Sequence, residues 1–305
     1  MMKMRHALAL GSSLALLVGC ERTKSVPVTE STLPAAGVTP QAPPPATPPP
    51  WDAEIGPVLL VGGDSPETAS VLSPDTAADT SGKMAGTRVM LLGRGGETQT
   101  ASLQHLAPVA EGGCTGLASW TLSAPGTALA PWAFGVVATE HAKTIAMDSV
   151  ESFSQADSAN LAAQAARLAS ALGREAANRF SGLPYTVHSL WRFTIPPNTH
   201  VLAANLIRRL NQEASPLEER TLLIAESDSA RGGYATAYSE RSQGAEETVE
   251  SRDFVAAAQL GADAHPIIVV ARDYDDAVAY SLLEREGPSR WRLRWTSRRV
   301  RCAAH

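Results

Sequence analysis

The sequence predicts an α+β fold, a mainly antiparallel sheet with one main amphipathic helix packed on it. Three observations carry that expectation. Short apolar runs recur at close spacing and are separated by Gly, Pro, Asn and Asp, which suits strands joined by tight turns. One stretch, Ser158 to Phe180, instead repeats its apolar residues at helical spacing. The last hairpin, around Gly287-Pro288-Ser289, has a register in which charges and bulky side chains sort onto opposite faces.

The elements follow in chain order from Trp51. Pro57 to Val61 is an apolar run closed by Gly62-Gly63, and Val89 to Leu92 is another, closed by Gly93-Arg94-Gly95-Gly96. Thr98 to Leu106 alternates, with Ala101, Leu103 and His105 set against Thr100, Ser102 and Gln104. Leu117 to Leu122 and Trp132 to Val137 continue the strand pattern, whereas Asp64 to Ala85, rich in Ser, Thr, Asp and Ala, reads partly as loop. A short helical turn is expected near Met147 to Phe153. In the main helix Leu161, Ala165, Leu168 and Leu172 form the apolar stripe, Asp157 or Ser158 caps the start, and Gly182 with Pro184 marks the exit.

Strands then return at Tyr185 to Ile195, His200 to Leu210, Arg220 to Ala225, Tyr234 to Arg241 and Ile267 to Arg272. Ala277 to Glu286 and Arg290 to Thr296 close the domain. Glu246 to Leu260 is ambiguous, since Ala256 to Ala258 suits a helix while Val249, Phe254 and Val255 suit a strand. In the final hairpin Glu286 falls opposite Arg290, Glu284 opposite Arg292, Leu283 opposite Leu293, and Arg285 beside Trp291.

The N-terminus reads differently. Lys3 and Arg5 precede an apolar core from Ala7 to Val18, too short to span a bilayer and typical of a cleavable export signal. That core ends in Leu17-Val18-Gly19-Cys20. The segment resembles the signal and lipobox of bacterial lipoproteins, a resemblance confined to about the first twenty residues. It implies cleavage before Cys20, diacylglycerol on the Cys20 thiol and, in many Gram-negative species, a third acyl chain. Each buried methylene adds roughly 0.8 kcal/mol, so several chains make a lasting anchor. By the same analogy Glu21, standing where Asp would favour the inner membrane, points to the outer one. From Glu21 to Pro50 the chain is dominated by Pro, Ala and Thr, including Pro43 to Pro45 and Pro48 to Pro50. Such a stretch is expected to be an extended tether. The organisation is therefore a signal at 1–19, a lipidated cysteine and tether at 20–50, and a single domain at 51–305.

Hydrophobic residues are 44% of the chain and charged residues 19%, which is enough to bury a core. The net charge of −5 offers no general attraction to nucleic acid. With Cys20 lipidated, Cys114 and Cys302 remain, an even number for an oxidising compartment, and a disulfide between them is expected. Two buried thiols are the alternative.

Leads to chemistry are few. Six arginines from Arg290 to Arg301, interleaved with Trp291 and Trp295, could meet an anionic polymer, but the hairpin register already supplies Glu284 and Glu286 as partners. If Gln243-Gly244 forms a turn, Glu240 falls opposite Glu247, and two such carboxylates can hold a cation or act as acid and base, unless Arg241 or Arg252 neutralises them. Asp273, Asp275 and Asp276 could ligate calcium, or simply form a turn. The scattered histidines show no zinc-ligand spacing, and Gly93-Arg94-Gly95-Gly96 lacks the lysine of a phosphate loop. No cofactor is called for. The expectation is thus a membrane-anchored extracytoplasmic lipoprotein, a non-enzymatic module that binds an envelope protein or polymer. The alternative is an envelope hydrolase using Glu240 and Glu247.

Overall fold

A computed structural model describes residues 59–301 except for 63–64, 73–83, 108–116, 127, 138–141, 173–178, 212–215, 229–232 and 262. Its first six strands are β1 (Leu59–Gly62), β2 (Thr68–Leu72), β3 (Arg88–Leu92), β4 (Thr98–Leu106), β5 (Ala118–Ser123) and β6 (Phe134–Val137). They close into a barrel in the order β1-β2-β5-β4-β3-β6, with β6 pairing back onto β1. The inward residues are Leu60, Val71, Val89, Leu91, Ala101, Leu103, Trp120 and Leu122, among others. Gly135 in β6 lies opposite Leu60 on one side and Leu91 on the other. A Cβ there would stand 2.9 Å from Leu91 Cδ2 and 3.1 Å from Leu60 Cβ, so the narrow interior admits only glycine without displacement.

The second part begins with β7 (Lys143–Ile145) and β8 (Asp148–Ser149), then a 3₁₀ turn (Val150–Ser152) and α1 (Gln155–Leu172). Nine strands follow: β9 (Thr186–Ile195), β10 (Thr199–Leu210), β11 (Leu217–Asp228), β12 (Gly233–Ala245), β13 (Ser251–Leu260), β14 (His265–Tyr274), β15 (Ala277–Gly287), β16 (Arg290–Thr296) and β17 (Val300–Arg301). One sheet has the order β12-β11-β10-β9-β8; the other has the order β16-β15-β14-β13-β7, with β17 on β15.

The two sheets pack face to face. Phe193, Ile195, Val201, Leu222 and Ile224 of the first meet Phe254, Ile268, Val270, Leu283 and Trp291 of the second. Helix α1 covers the other face of the first sheet, setting Leu161, Ala165 and Ala169 on Leu190, Leu202, Leu206 and Leu223. The barrel covers the other face of the second sheet, where Leu59, Val61, Leu92, Phe134 and Val136 meet Ala256, Ile267, Val269, Leu282 and Trp295. The layers therefore run helix, sheet, sheet, barrel.

This corrects the α+β expectation. Strands make up 62% of the described structure and helix 10%, so the fold is β-rich. The expectation gave one helix and one sheet equal standing as layers, but α1 lines only the outer face of one of three β assemblies. The helix also begins earlier than expected, at Gln155. Ser154 is its cap: Ser154 Oγ accepts from the Asp157 backbone N–H at 3.2 Å and donates to the Asp157 carboxylate at 2.7 Å. Asp157 and Ser158 both lie inside the first turn. The expected end at Phe180 follows residues 173–178, which lie outside the described residues.

The barrel's β3–β4 turn is pinned to the second sheet by Arg94. A bulge at Val255 in β13 interrupts the ladder to β14. Arg94 Nε donates to the Val255 carbonyl at 2.9 Å and Nη2 to the Phe254 carbonyl at 3.1 Å, satisfying acceptors at the bulge.

In the last hairpin Leu283↔Leu293, Glu284↔Arg292 and Arg285↔Trp291 pair as the sequence predicts. Glu286 does not oppose Arg290, because a bulge pairs Arg290 with Gly287, although the two side chains still form an ion pair at 3.1 Å. A second irregularity pairs Leu282 with Trp295 immediately beside Leu283↔Leu293, leaving Arg294 as the extra residue. It reverses the facing of everything beyond it. Trp291 therefore enters the core between the sheets and Trp295 the core under the barrel, although their spacing in an unbroken strand would place them on one face.

Candidate functional site

The densest polar cluster lies where β12, β13 and β14 meet between the sheets. Arg252 of β13 and Arg272 of β14 are directly opposite in the ladder, an arrangement of like charges that destabilises a sheet unless anions intervene. Glu240 of β12 and Glu250, just before β13, supply them. Arg272 donates to Glu240 Oε1 at 2.8 Å and Oε2 at 2.7 Å, and to Glu250 Oε1 at 2.6 Å. Arg252 Nη2 donates to Glu250 Oε2 at 2.8 Å and sits 3.4 Å from Glu240 Oε1. Tyr238 and Tyr274 donate their hydroxyl protons to Glu240 and Glu250, and Arg299 stacks 3.8 Å from the centre of the Tyr274 ring.

The electrostatics follow from that geometry. Burial alone would push the Glu240 carboxyl up, but the Arg272 hydrogen bonds and the charges of Arg252 and Arg272 outweigh it and hold the group below the ordinary carboxylate range. Burial and the neighbouring Glu240 charge push the Tyr238 phenol up. Against the burial that would lower it, the two carboxylates raise Arg272. The cluster is a set of fixed, matched charges.

Three fully buried carboxylates elsewhere are matched in the same way. Across the β10–β11 ladder Arg208 opposes Glu219 and Arg209 opposes Glu218. Glu219 accepts from Arg208 at 2.7 Å and from Tyr185 and Gln243 at 2.5 Å. Glu218 accepts from Arg209 and, at 2.7 Å, from Arg220. Glu226 accepts from Arg285, from the Trp291 indole at 2.6 Å and from the Ser289 backbone at 2.8 Å. The charge pattern Arg208-Arg209 and Glu218-Glu219, symmetric about a hairpin loop, is a signal that sequence reasoning missed.

Burial would raise Glu218, Glu219 and Glu226, yet arginine hydrogen bonds hold all three below the ordinary range, as at Glu240. Groups depressed in the folded state contribute stability that is complete above their unfolded pKa, about 4.3 for Glu. It is lost as pH falls through the folded values. Asp273, pushed up by burial and by Asp253, works in the opposite sense. The urea unfolding midpoint is expected to be level from about pH 7 to 5 and to fall steeply below about pH 4. A midpoint unchanged at pH 3 would refute this reading.

The predicted residues fare unevenly. Glu240 lies opposite Leu222 of β11 and is occupied by Arg272, whereas Glu247 sits exposed in the turn after β12. Strand β12 runs through Gln243 and Gly244 to Ala245, so the expected turn is displaced and the two carboxylates are not cross-strand partners. Asp275 and Asp276 form the turn between β14 and β15, and Asp273 precedes them in β14; Asp276 faces Arg301 at 3.5 Å. Among the described residues no group of three His, Cys, Asp or Glu side chains is placed to hold a metal ion. The C-terminal arginines are partnered: Arg292 and Arg294 by Glu284 at 3.0 and 3.2 Å, Arg290 by Glu286. Cys20, Cys114 and Cys302 lie outside the described residues.

A concavity of about 110 Å³ opens beside Arg252, Asn205 and Arg220, and two larger ones lie elsewhere among the described residues. A groove of about 320 Å³ runs past Glu284, Glu286, Arg290, Arg292 and His265. A larger cleft, about 470 Å³, opens at the seam of barrel and second sheet, walled by Trp132, Ala133, Val255, Ala271 and Tyr280, with Arg94 and Glu97 from the β3–β4 turn. Sequence reasoning singled out neither Trp132 nor Tyr280, since the seam joins segments far apart in the chain. Comparison with family models, curated proteins and solved structures gives no match to the chain.

Proposed function

We propose that the chain is a lipid-anchored protein of the bacterial cell envelope, attached through Cys20, whose β-rich domain is a non-enzymatic module binding an envelope protein or polymer. The anchor rests on Lys3, Arg5, the apolar core from Ala7 to Val18 and the box Leu17-Val18-Gly19-Cys20. The proline-rich stretch to Pro50 would hold the domain off the membrane.

The observation that favours binding over hydrolysis is the state of Glu240. A general acid needs a raised pKa and a general base or nucleophile needs a free carboxylate. Glu240 is instead clamped by both terminal nitrogens of Arg272, at 2.7 and 2.8 Å, with its proton affinity lowered. Glu247, its intended partner, lies outside the cluster in an exposed turn. The hydrolase reading loses the pair on which it stood.

The test is chemical crosslinking in intact cells, followed by purification of the chain and mass spectrometry of what is joined to it. A reproducible partner, absent when residues 51–305 are deleted and the anchor and tether kept, is the expected result. Crosslinks that survive the deletion would remove the domain from the interaction.

A further inference from the structure

We infer that Arg94 and Asn205 are edge guards: they occupy the open edge of β13 in place of a strand and keep copies of the chain from joining there. The inference stands apart from the anchor and from the binding reading.

Strand β13 runs over Ser251–Leu260, but β7 pairs with it only from Ala257 to Gln259. Among the described residues no strand covers this edge from Ser251 to Ala256. An open edge offers its unpaired backbone groups to any other strand, and a second copy of the chain carries the same edge. Phe254 and Val255 within it are strong strand formers, which adds to the hazard.

Side chains from elsewhere take up three carbonyls of this stretch. Arg252 and Phe254 lie two apart and turn their carbonyls to the same side of β13. The Arg252 carbonyl accepts from Asn205 Nδ2 at 2.6 Å, and the Phe254 carbonyl accepts from Arg94 Nη2 at 3.1 Å. The carbonyl of the bulged Val255 accepts from Arg94 Nε at 2.9 Å. The donors come from separate places, the β3–β4 turn of the barrel and β10 of the first sheet. The bulge itself is a further device that spoils an edge for pairing.

Both guards are held in position. The Arg94 guanidinium lies 5.2 Å from the centre of the Trp191 ring. Its turn is fastened by the Met147 N–H on the Arg94 carbonyl at 2.8 Å and by Thr144 Oγ1 on the Gly93 carbonyl at 3.2 Å. Asn205 is the one polar residue in the buried run Val201–Leu206 and is 7% exposed. An apolar side chain would fill that place at less desolvation cost, whereas a buried amide must find partners. Asn205 Nδ2 finds them in the Arg252 carbonyl and, at 2.9 Å, in Ser189 Oγ.

The experiment is hydrogen–deuterium exchange read by mass spectrometry, on the full chain in a large excess of detergent micelles, at low and at high protein concentration. The variant carries Arg94→Met and Asn205→Leu. Methionine keeps the aliphatic stem on Trp191 and leucine keeps the volume of Asn205, so donors are lost with little loss of packing. Exchange of the Arg252–Val255 amides in this variant is expected to slow at least about 10-fold from low to high concentration, and to stay level in the native chain. A chain merely loosened by the substitutions exchanges faster at every concentration, so protection that grows with concentration reports strand addition. Each single variant is expected to show the same change at smaller size, and supplies the reading if the double variant does not fold. Exchange at Arg252–Val255 that ignores concentration in the folded variants, or equal protection in the native chain, would overturn the inference.

Discussion

Replacing Arg272 with methionine is expected to lower folding stability by about 3–5 kcal/mol, because it strips a buried ion network of one of its two cations. Arg272 is 5% exposed and donates to Glu240, Glu250 and Ser281. Without it, Glu240 and Glu250 share Arg252, which reaches them at 3.4 and 2.8 Å. Two partly buried carboxylates on one guanidinium cannot both stay ionised cheaply, so the pKa of one rises. That reverses the acid response of the site: the deficit of the variant is expected to shrink as pH falls from about 7 to 5. Adding Glu240→Leu restores one-to-one matching between Glu250 and Arg252 and should recover part of the loss. Urea unfolding of the two single variants and the double variant, at both pH values, reads all three effects. Additive losses, or a loss within about 0.5 kcal/mol, would show that the network is peripheral to stability.

The second large effect is expected inside the barrel. Trp120 is fully buried among Leu103, Leu122 and their neighbours, and among the described residues its indole N–H has no hydrogen-bond partner. Trp120→Ala opens a cavity in a closed wall that cannot collapse, at a cost of about 3–5 kcal/mol. Trp120→Phe keeps most of the ring and removes the stranded donor, which returns about 1–3 kcal/mol, so its cost should be much smaller. Both variants should still unfold in one transition, since the outer residues of the barrel share a core with the second sheet. Equal losses in the two variants, measured by circular dichroism during urea unfolding, would argue against the unsatisfied indole.

Most strands were legible because turn residues punctuate them, and β4 and β16 match their sequence ranges from end to end. The architecture was not. Barrel closure joins β6 to β1 across most of the first part of the domain, a pairing that no local pattern encodes. Strand β2, Thr68–Leu72, is hidden in a Ser- and Thr-rich stretch that reads as loop. Because β10, β11 and β14 are covered on both faces, Val201–Leu206 and Ile267–Val270 are continuously buried, and the period-2 signal of a one-sided sheet is erased. The same layering sets the importance of α1, which the sequence shows clearly but cannot rank.

The polar cluster was half legible. Glu240 was paired with Glu247, which is not its cross-strand partner, whereas the alternative that Arg252 neutralises it agrees with the contact at 3.4 Å. Its partners depend on the Arg252↔Arg272 register, which the bulge at Val255 shifts along the same ladder, and on a sheet-to-sheet contact between β12 and β14. The final hairpin was readable to three register pairs, and the two irregularities that send Trp291 and Trp295 into different cores were not. Cross-strand charge at Arg208-Arg209 and Glu218-Glu219 was available in the sequence as a pattern, since only a hairpin separates the two pairs.

The central claim is that Cys20 carries lipid and holds the domain at the envelope. Its most direct measurement is the intact mass of the N-terminal peptide of the mature chain, from cells fed an alkyne-tagged palmitate, for the native protein and for Cys20→Ser. A chain that begins at Cys20, bears diacylglycerol with the tag and leaves the membrane fraction when Cys20 becomes Ser is the predicted result. A mature chain that begins elsewhere, or at Cys20 with a free thiol and no tag, would contradict it.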